Sequence, residues 1–389
     1  MSNDQTPDPQ NPELDQQMVD LAEVEDAKLQ KQTASYSQGQ LVRRRFLSHK
    51  PAIISMLVLL VIIVLSFSSI GFGVLPGWWD KHHQATGSII DGGRPMIFQD
   101  GNFLGEHPFG QENVGRDYFA MVMRGAQQSL IVAFLAAAVS SVIGIVLGAI
   151  AGYFRGWIES IIMRLTDFVI VVPTLVFAAI LGQMVGGLPG GVAPFGIALG
   201  MITWTGMCRL VRAEVLSIRE KEYVSAAISM GASPTRIIGK HMIPNSIGVI
   251  IVNATFAFVV AILLETTLSF LGMGVERPEV SLGLLIDQYQ NAFTTRPWLF
   301  WFPGVIIILI ALAGNFIGDG LRDAFDPRQR RSGDARPSMG GVLGLRGLKR
   351  LSRARTEVGQ SAAGGPGGAQ LPAGQNDPHG NPLRFWRKK

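Results

Sequence analysis

Residues 129–153 read SLIVAFLAAAVSSVIGIVLGAIAGY, a stretch that contains no charged side chain. About 20 apolar residues in a helix cross a hydrocarbon core of roughly 30 Å, so this stretch is long enough to span a membrane. Small residues recur at every fourth position and form one stripe of that helix: Ala136, Ser140, Gly144, Gly148 and Gly152. Because close packing drives helix association in lipid, we expect the stripe to pack against neighbouring helices; contact with a ligand is the alternative.

Similar apolar stretches occur six times, at 52–72, 129–153, 166–187, 192–209, 247–272 and 298–318. The chain has 389 residues, of which 48% are hydrophobic and only 16% charged. A soluble domain needs more charge on its surface than this. The sequence therefore predicts an all-α integral membrane protein with six transmembrane helices. The single cysteine, Cys208, excludes an internal disulfide and a cysteine-cluster metal site.

Basic residues crowd the N-terminal edge of the first span: Arg43, Arg44, Arg45 and Lys50. Lys/Arg-rich flanks stay in the cytoplasm, so the N-terminus is predicted to lie inside. Six spans then place about 28 of the 34 Lys and Arg residues on cytoplasmic segments, with both termini cytoplasmic. The first span begins too far along the chain for an ordinary signal peptide, so we expect it to be retained. Trp78 and Trp79, just past it, are expected at the membrane interface.

These spans divide the chain into five predicted regions. They are a polar, acidic N-terminal tail (1–40), a basic flank with the first span (41–72), an extracytoplasmic loop (73–125), a core with spans two to six (126–319) and a basic, Gly/Pro-rich cytoplasmic tail (320–389). The last region cannot bury a core, so we expect disorder there. Its cations favour contact with anionic membrane lipid, and no nucleic-acid partner is predicted.

The loop at 211–245, between spans four and five, carries too many charges to lie in lipid, yet it has helix signals. Ser217 and Glu220 match a capping box for a helix that runs to Met230, and Gly231 is placed to end it in a left-handed conformation. Ser233 and Pro234 then begin a second short helix that is expected to stop before Pro244. This helix–turn–helix would present a knob to a partner, fold back on its own membrane domain, or lie flat on the membrane.

The residues of this loop resemble the EAA loop of ABC-importer permeases, whose short helix docks into an ATPase subunit. The matching residues are Ser225, Ala226 and Ala227, then Gly231, Ala232 and Ser233, then His241, Pro244 and Asn245. The leading Glu of the family pattern is Ser225 here.

Two further motifs resemble the C-type permease subunit of oligopeptide and dipeptide importers. One precedes span two and contains His107-Pro108-Phe109-Gly110, Gly115-Arg116-Asp117, Arg124-Gly125-Ala126 and Ser129-Leu130. In it, Gln111-Glu112 stands where the family commonly has Thr-Asp. The other closes span six and contains Asn315, Asp319, Arg322, Asp323, Asp326 and Pro327. Together with the loop, the resemblance covers roughly residues 40–330.

The resemblance implies a type I ABC-importer permease fold that forms half of a translocation pathway for di- or oligopeptides in the bacterial cytoplasmic membrane. It implies three kinds of protein partner: a second, B-type permease, two ABC ATPase subunits or domains, and an extracytoplasmic substrate-binding protein. The implied substrate is a peptide. Nickel complexes or another small solute are alternative substrates. An ion-coupled carrier that works without ATPases is the rival from another class.

Motifs for catalysis are missing from this sequence. The phosphate-binding pattern G-x-x-x-x-G-K-[ST] is absent, because Gly239-Lys240 is preceded by Pro234 at the first glycine position and followed by His241. We therefore expect ATP and Mg to be bound by separate ATPase subunits, no cofactor in this chain, and no enzymatic activity of its own. His82-His83 is expected to be a solvated loop pair and not a metal site.

Three polar residues, Glu265, Thr266 and Thr267, lie past the middle of span five, toward its outer end. A lipid-facing charge costs at least ~2.5 kcal/mol, so Glu265 is expected to face the bundle interior or an aqueous path. A structural hydrogen-bonded acid and a pathway or gating role both remain open. In span three, Pro173 predicts a kink, with Asp167 as an acid near a helix end.

Overall fold

The computed structural model describes residues 38–97, 105–185 and 191–326; Pro327 and both tails lie outside these ranges. The regular secondary structure of the described residues is helical apart from one two-stranded hairpin, Gly71–Phe72 paired with Leu75–Pro76, and one isolated bridge between Gln111 and Asp117. The helices are α1 (Gln38–Ser48), α2 (Lys50–Ile70), α3 (Tyr118–Phe154), α4 (Gly156–Val171), α5 (Thr174–Val185), α6 (Val192–Thr203), α7 (Thr205–Arg219), α8 (Glu222–Ser229), α9 (Pro234–Ile237), α10 (Ile243–Phe270), α11 (Leu282–Tyr289) and α12 (Trp298–Phe325).

Among the described residues, four helical stretches are long and apolar enough to cross a membrane. They are α2, α3, α12 and the stretch Pro234–Phe270, which joins α9 to α10 through a π-helical turn at Ile238–Met242. Two bent pairs, α4 with α5 and α6 with α7, also have the required composition. Counting each bent pair as one span gives up to six. The predicted all-helical membrane fold is confirmed.

The two bends lie at identifiable residues. The α4–α5 pair bends by 84° at Pro173, where proline has no N–H to donate and Val172 is extended (φ −74°, ψ 125°). The predicted kink is therefore present. The α6–α7 pair bends by 48° beside Thr203, whose hydroxyl donates to the Leu199 carbonyl at 3.0 Å. This back-bonding often bends helices.

The small-residue stripe of α3 is a packing surface, as predicted. Its five members are buried. A Cβ on Gly144 would lie 2.5 Å from the Met207 Cβ, and one on Gly148 would lie 2.5 Å from the Cys208 carbonyl oxygen. Only glycine permits the backbones of α3 and α7 to approach this closely. Helix α3 therefore lies at the centre of the bundle, with α6, α7 and α10 packed around it.

One boundary expectation was wrong. Helix α3 begins at Tyr118, well before residue 129, because the Asp117 side chain accepts a hydrogen bond from the Ala120 N–H and caps the helix there. The Trp79 indole N–H donates to Asp117 Oδ2 at 2.8 Å, and its ring packs 4.8 Å from that of Phe119. Trp78 is half exposed. The interface position of both tryptophans stays a prediction.

Candidate functional site

The chain between α7 and α10 forms an exposed bend, residues 220–234. Helix α7 continues through Ser217 to Arg219, and α8 begins only at Glu222, after an extended Lys221 without a side-chain cap. The expected capping box of Ser217 and Glu220 is therefore wrong. Val211, Val215 and Ile218 are buried on one face of α7, and this packing extends the helix past the local start signal.

Gly231 ends α8 with φ +77°, as predicted. Its N–H donates to the Ile228 carbonyl at 2.9 Å, and the Ala232 N–H donates to the Ala227 carbonyl at 3.1 Å. This pair of bonds is the Schellman arrangement, which requires a left-handed residue. A Cβ on Gly231 would meet nothing within 4 Å. The need for glycine at this position is therefore conformational and not steric.

The second helix begins as expected and ends differently. Ser233 is extended and Pro234 opens α9, although the Ser233 hydroxyl makes no capping bond. The expected stop before Pro244 is wrong, because the π-helical turn leads directly into α10. In that turn the Ile243 N–H donates to the Ile238 carbonyl, five residues back. Pro244 then lies in the first turn of α10, where its missing N–H is not needed.

The bend has a buried side that holds it to the membrane helices. Val224, Ile237 and Met242 are fully buried and belong to one apolar cluster. Other members of that cluster are Ala149 of α3, Met207, Val211, Val215 and Ile218 of α7, and Ile250 of α10. Displacement of the bend would therefore act directly on three membrane-spanning segments.

The outer side of the bend combines small and apolar residues. Ser225, Ala226 and Gly231 are exposed, while Ala227 is buried. Met230 and Ile228 are 80% and 43% exposed, although both are apolar. The exposure of these two side chains was not predicted; an apolar pair in the middle of a charged loop was the available signal.

The other residues of the EAA resemblance connect the two halves of the bend. The Asn245 amide donates to the His241 carbonyl at 2.5 Å and lies 3.3 Å from the Tyr223 hydroxyl of α8. Pro244 and Ser233 are exposed, and Ala232 is half-buried. Asn245 thus ties α8 to the start of α10.

Three ion pairs brace the neighbouring helix ends. Arg155 pairs with Glu220 at the start of the bend, and Arg212 Nε donates to Glu159 at 2.8 Å. Asp167, expected to be an acid near a helix end, pairs with Arg209 of α7 at 2.6 Å. The α4 segment is therefore tied to α7, and through Glu220 to the bend.

Asp117 organises the motif that precedes α3. Its Oδ2 accepts from the Ala120 N–H and the Trp79 indole, and its Oδ1 lies 2.7 Å from His107 Nδ1. Gly115 has φ +77°, and a Cβ there would overlap the Gly87 carbonyl oxygen. The motif fastens the loop before α3 onto the start of that helix.

Gln111 and Glu112, which depart from the family pattern, also form contacts that hold the loop before α3 in place. Gln111 accepts from the Ile90 N–H at 2.8 Å, and Glu112 lies 3.3 Å from Arg116 Nε. Glu112 also accepts the hydroxyl of Tyr289. Burial and the hydrogen bond to Glu112 raise the pKa of Tyr289.

The expectation of a solvated His82-His83 pair was wrong for His83. Its side chain is 7% exposed. Burial, together with the nearby His82, Arg124 and Arg116, lowers the pKa of His83 to about 4. Within the described residues, no group of three His, Cys, Asp or Glu side chains could hold a metal ion.

Glu265 is fully buried in a cluster of hydroxyl groups. The Ser269 hydroxyl donates to its Oε1 at 2.8 Å, and the hydroxyls of Ser129, Ser281 and Thr266 also face this carboxyl. Thr266 is half-buried. Thr267 is exposed and bonds to its own helix. Of the three predicted residues, only Glu265 and Thr266 therefore lie at this cluster.

The hydroxyl cluster binds residues 272–289, which follow α10 and contain α11. We call these residues the inlaid segment. Ser269 and Ser129 each accept a backbone N–H from it, from Val275 and Leu282, both at 3.2 Å. Glu279 of the segment pairs with Arg124 at 3.1 Å and accepts from Gln128 at 2.7 Å. The inlaid segment is thus held to α3 by Ser129, Arg124 and Gln128, and to α10 by Ser269.

The motif that closes α12 contacts the N-terminal helix α1. His49 Nε2 lies 3.6 Å from Asp323, and Arg45 donates to the Asp326 carbonyl at 3.2 Å. Asp319 and Arg322 are exposed. Pro327 lies outside the described residues.

Comparison with known proteins assigns these features to a family. Residues 144–331 match the binding-protein-dependent transport system inner membrane component, and residues 37–72 match the N-terminal TM domain of oligopeptide transport permease C. The oligopeptide transport system permease protein OppC of Mycobacterium tuberculosis is 35% identical, over 76% of this chain and 96% of that protein. OppC of Bacillus subtilis is 31% identical, over 78% and 93%.

A putative peptide permease of Brucella ovis is 37% identical, over 57% of this chain and 74% of that protein. Among solved structures, an inward-facing form of the MetNI methionine ABC transporter matches with a TM-score of 0.40 and 19% identity, over 52% of this chain and 96% of that chain. The family matches and the Mycobacterium and Bacillus relatives confirm the resemblance seen in the three motifs. The chain therefore belongs to the OppC-type permeases, the multi-pass inner-membrane components of binding-protein-dependent ABC transporters, and is itself not catalytic.

Proposed function

We propose that this chain forms half of the translocation pathway of an ATP-driven importer of di- or oligopeptides. As an ABC permease it works with ATPase and binding-protein partners. The proposal names them more closely: a B-type permease for the other half, two ATPases that bind ATP and Mg, and an extracytoplasmic binding protein that delivers the peptide. The names of the relatives in Mycobacterium and Bacillus support the peptide substrate.

The bend at 220–234 is the proposed contact with the ATPase, and its geometry is the observation that carries the proposal. Its outer side exposes small residues beside Met230 and Ile228, a surface suited to a groove on a protein. Its inner side is buried against α3, α7 and α10. A structure that is rigidly held on one side and apolar on the other can transmit a push from a docked subunit to the spans.

Glu265 is the proposed gating residue, near the end of α10 that is remote from the bend. It faces the hydroxyl cluster that holds the inlaid segment 272–289 to α3 and α10. Because Ser269 binds this segment from α10 and Ser129 binds it from α3, movement of α10 relative to α3 would strain its attachment. We therefore propose that the inlaid segment moves when the pathway opens, with Thr266 beside it and Thr267 on the outer face of the helix.

The test is reconstitution of the purified complex in proteoliposomes. With the binding protein and ATP present, we expect uptake of labelled di- or oligopeptide and none by this chain alone. Peptide uptake by the chain alone would overturn the proposal in favour of an ion-coupled carrier. ATP-dependent uptake of a nickel complex without peptide uptake would overturn the substrate.

A further inference from the structure

We infer that the exposed face of α1 binds the headgroup of an anionic phospholipid. Helix α1 directly precedes the first membrane span, with only His49 between them. Gly320 of α12 lies against this junction, since a Cβ there would press on the Ala52 Cβ and lie 3.5 Å from the Phe46 ring. Together with the bonds of Arg45 and His49 to the end of α12, this contact fixes α1 at the membrane boundary that the basic flank assigns to the cytoplasm.

The outward face of α1 is basic and carries one apolar side chain. Arg43 and Arg44 of α1 are exposed, as is Lys50, the first residue of α2, and residues 38–50 contain no acidic residue. Leu47 is 57% exposed on the same face. Gln40, Arg43, Arg44, Leu47 and Ser48 lie together on this side of the helix.

The combination favours a lipid over a soluble anion. Cations attract a phosphate group, while an exposed leucine one turn along the helix is stabilised by acyl chains at the boundary of the bilayer. A free phosphate would use the cations and leave Leu47 in water.

The test uses the full-length chain in liposomes that contain a photoactivatable phosphatidylglycerol or, in parallel, the matching phosphatidylcholine. Mass spectrometry maps the cross-links. We expect residues 38–50 to be labelled more strongly by phosphatidylglycerol. The yield with phosphatidylglycerol should fall roughly fivefold for each cation removed in Arg43→Gln and in Arg43→Gln/Lys50→Gln, because each nearby cation contributes a comparable attraction.

Arg164→Gln, which removes an exposed cation from α4, is the matched control and should leave the yield unchanged. Excess inorganic phosphate should not displace the labelled lipid. Equal labelling by both lipids, an unchanged yield in the double variant, or full displacement by phosphate would each overturn the inference. Because labelling does not require transport, its failure is distinguishable from failure of the proposed import function.

Discussion

Replacement of Gly231 by valine tests the proposed coupling role of the bend. Gly231 has φ +77°, and a Cβ there would contact nothing within 4 Å. Valine therefore introduces no clash with another element, and its whole effect comes from the backbone. A non-glycine residue in the left-handed region costs roughly 1–2 kcal/mol, and a β-branched residue is more disfavoured still.

A cost of that size changes a local equilibrium by a factor of roughly 5–30. The Schellman bonds of Gly231 and Ala232 would open, and the angle between α8 and α9 would change, while the apolar spans stay intact. We expect Gly231→Val to reach the membrane in normal amount and to assemble with the other subunits. Stimulation of ATP hydrolysis by substrate-loaded binding protein should be lost, and peptide uptake should fall at least severalfold.

Two matched variants separate conformation from bulk. Gly231→Asn should retain most activity, because asparagine tolerates the left-handed region at a helix end. Gly239→Val places the same side chain in the π-helical turn, where glycine has no positive φ and a Cβ also meets nothing within 4 Å, and it should be nearly neutral. Normal coupling in Gly231→Val would refute the reasoning, as would equal loss in both valine variants.

Three further predictions concern other parts of the molecule. Glu265→Leu should lower the free energy of unfolding by about 1–3 kcal/mol and reduce uptake, because it leaves the Ser269 hydroxyl without its acceptor. Glu265→Gln keeps that hydrogen bond and serves as the control. Full uptake by the leucine variant in transport assays would remove the gating role. Gly148→Val should reduce the yield of detergent-stable protein, since its Cβ would lie 2.5 Å from the Cys208 carbonyl, while Gly206→Ala, with open space around it, serves as the control in size-exclusion chromatography. Because the pKa of His83 is lowered to about 4 in the folded chain, the unfolded chain binds a proton first as pH falls below about 6.5. Thermal stability should therefore decrease from pH 6.5 toward pH 4, and it should decrease less in His83→Gln. Identical profiles of thermal stability against pH for the two proteins would contradict the burial effect.

Much of the membrane fold follows from the sequence because it depends on local composition. Apolar length located the spans, and the four-residue repeat of small residues identified the packing face of α3. The position of Gly231 between a helix and a Ser-Pro pair predicted its positive φ. These features depend on residues close together in the chain.

Features set by distant contacts were not predictable in this way. The capping signal at Ser217 did not begin a new helix, because Val215 and Ile218 are buried against other helices and α7 continues past it. The helix stop at Pro244 was replaced by a π-helical turn that accommodates the proline. Ser269, which donates to Glu265, lies one turn further along α10. Ser129 comes from α3 and Ser281 from the inlaid segment, and no spacing in the sequence indicates that these two serines meet Glu265.

The proposed coupling depends on direct contact between the bend and an ATPase subunit. Met230 lies in the bend and is 80% exposed, whereas the only native cysteine, Cys208, is buried. Met230→Cys therefore provides a single reactive thiol at the proposed contact. Val74→Cys, at a position that is 98% exposed in the hairpin after the first span, is the matched control. In the assembled complex, a short bifunctional cross-linker should join the thiol of the Met230→Cys variant to the ATPase subunit, and the thiol of the Val74→Cys variant should give no such product. Cross-linking of the Met230→Cys variant only within its own chain or to lipid, with the ATPase present and assembled, would contradict the account.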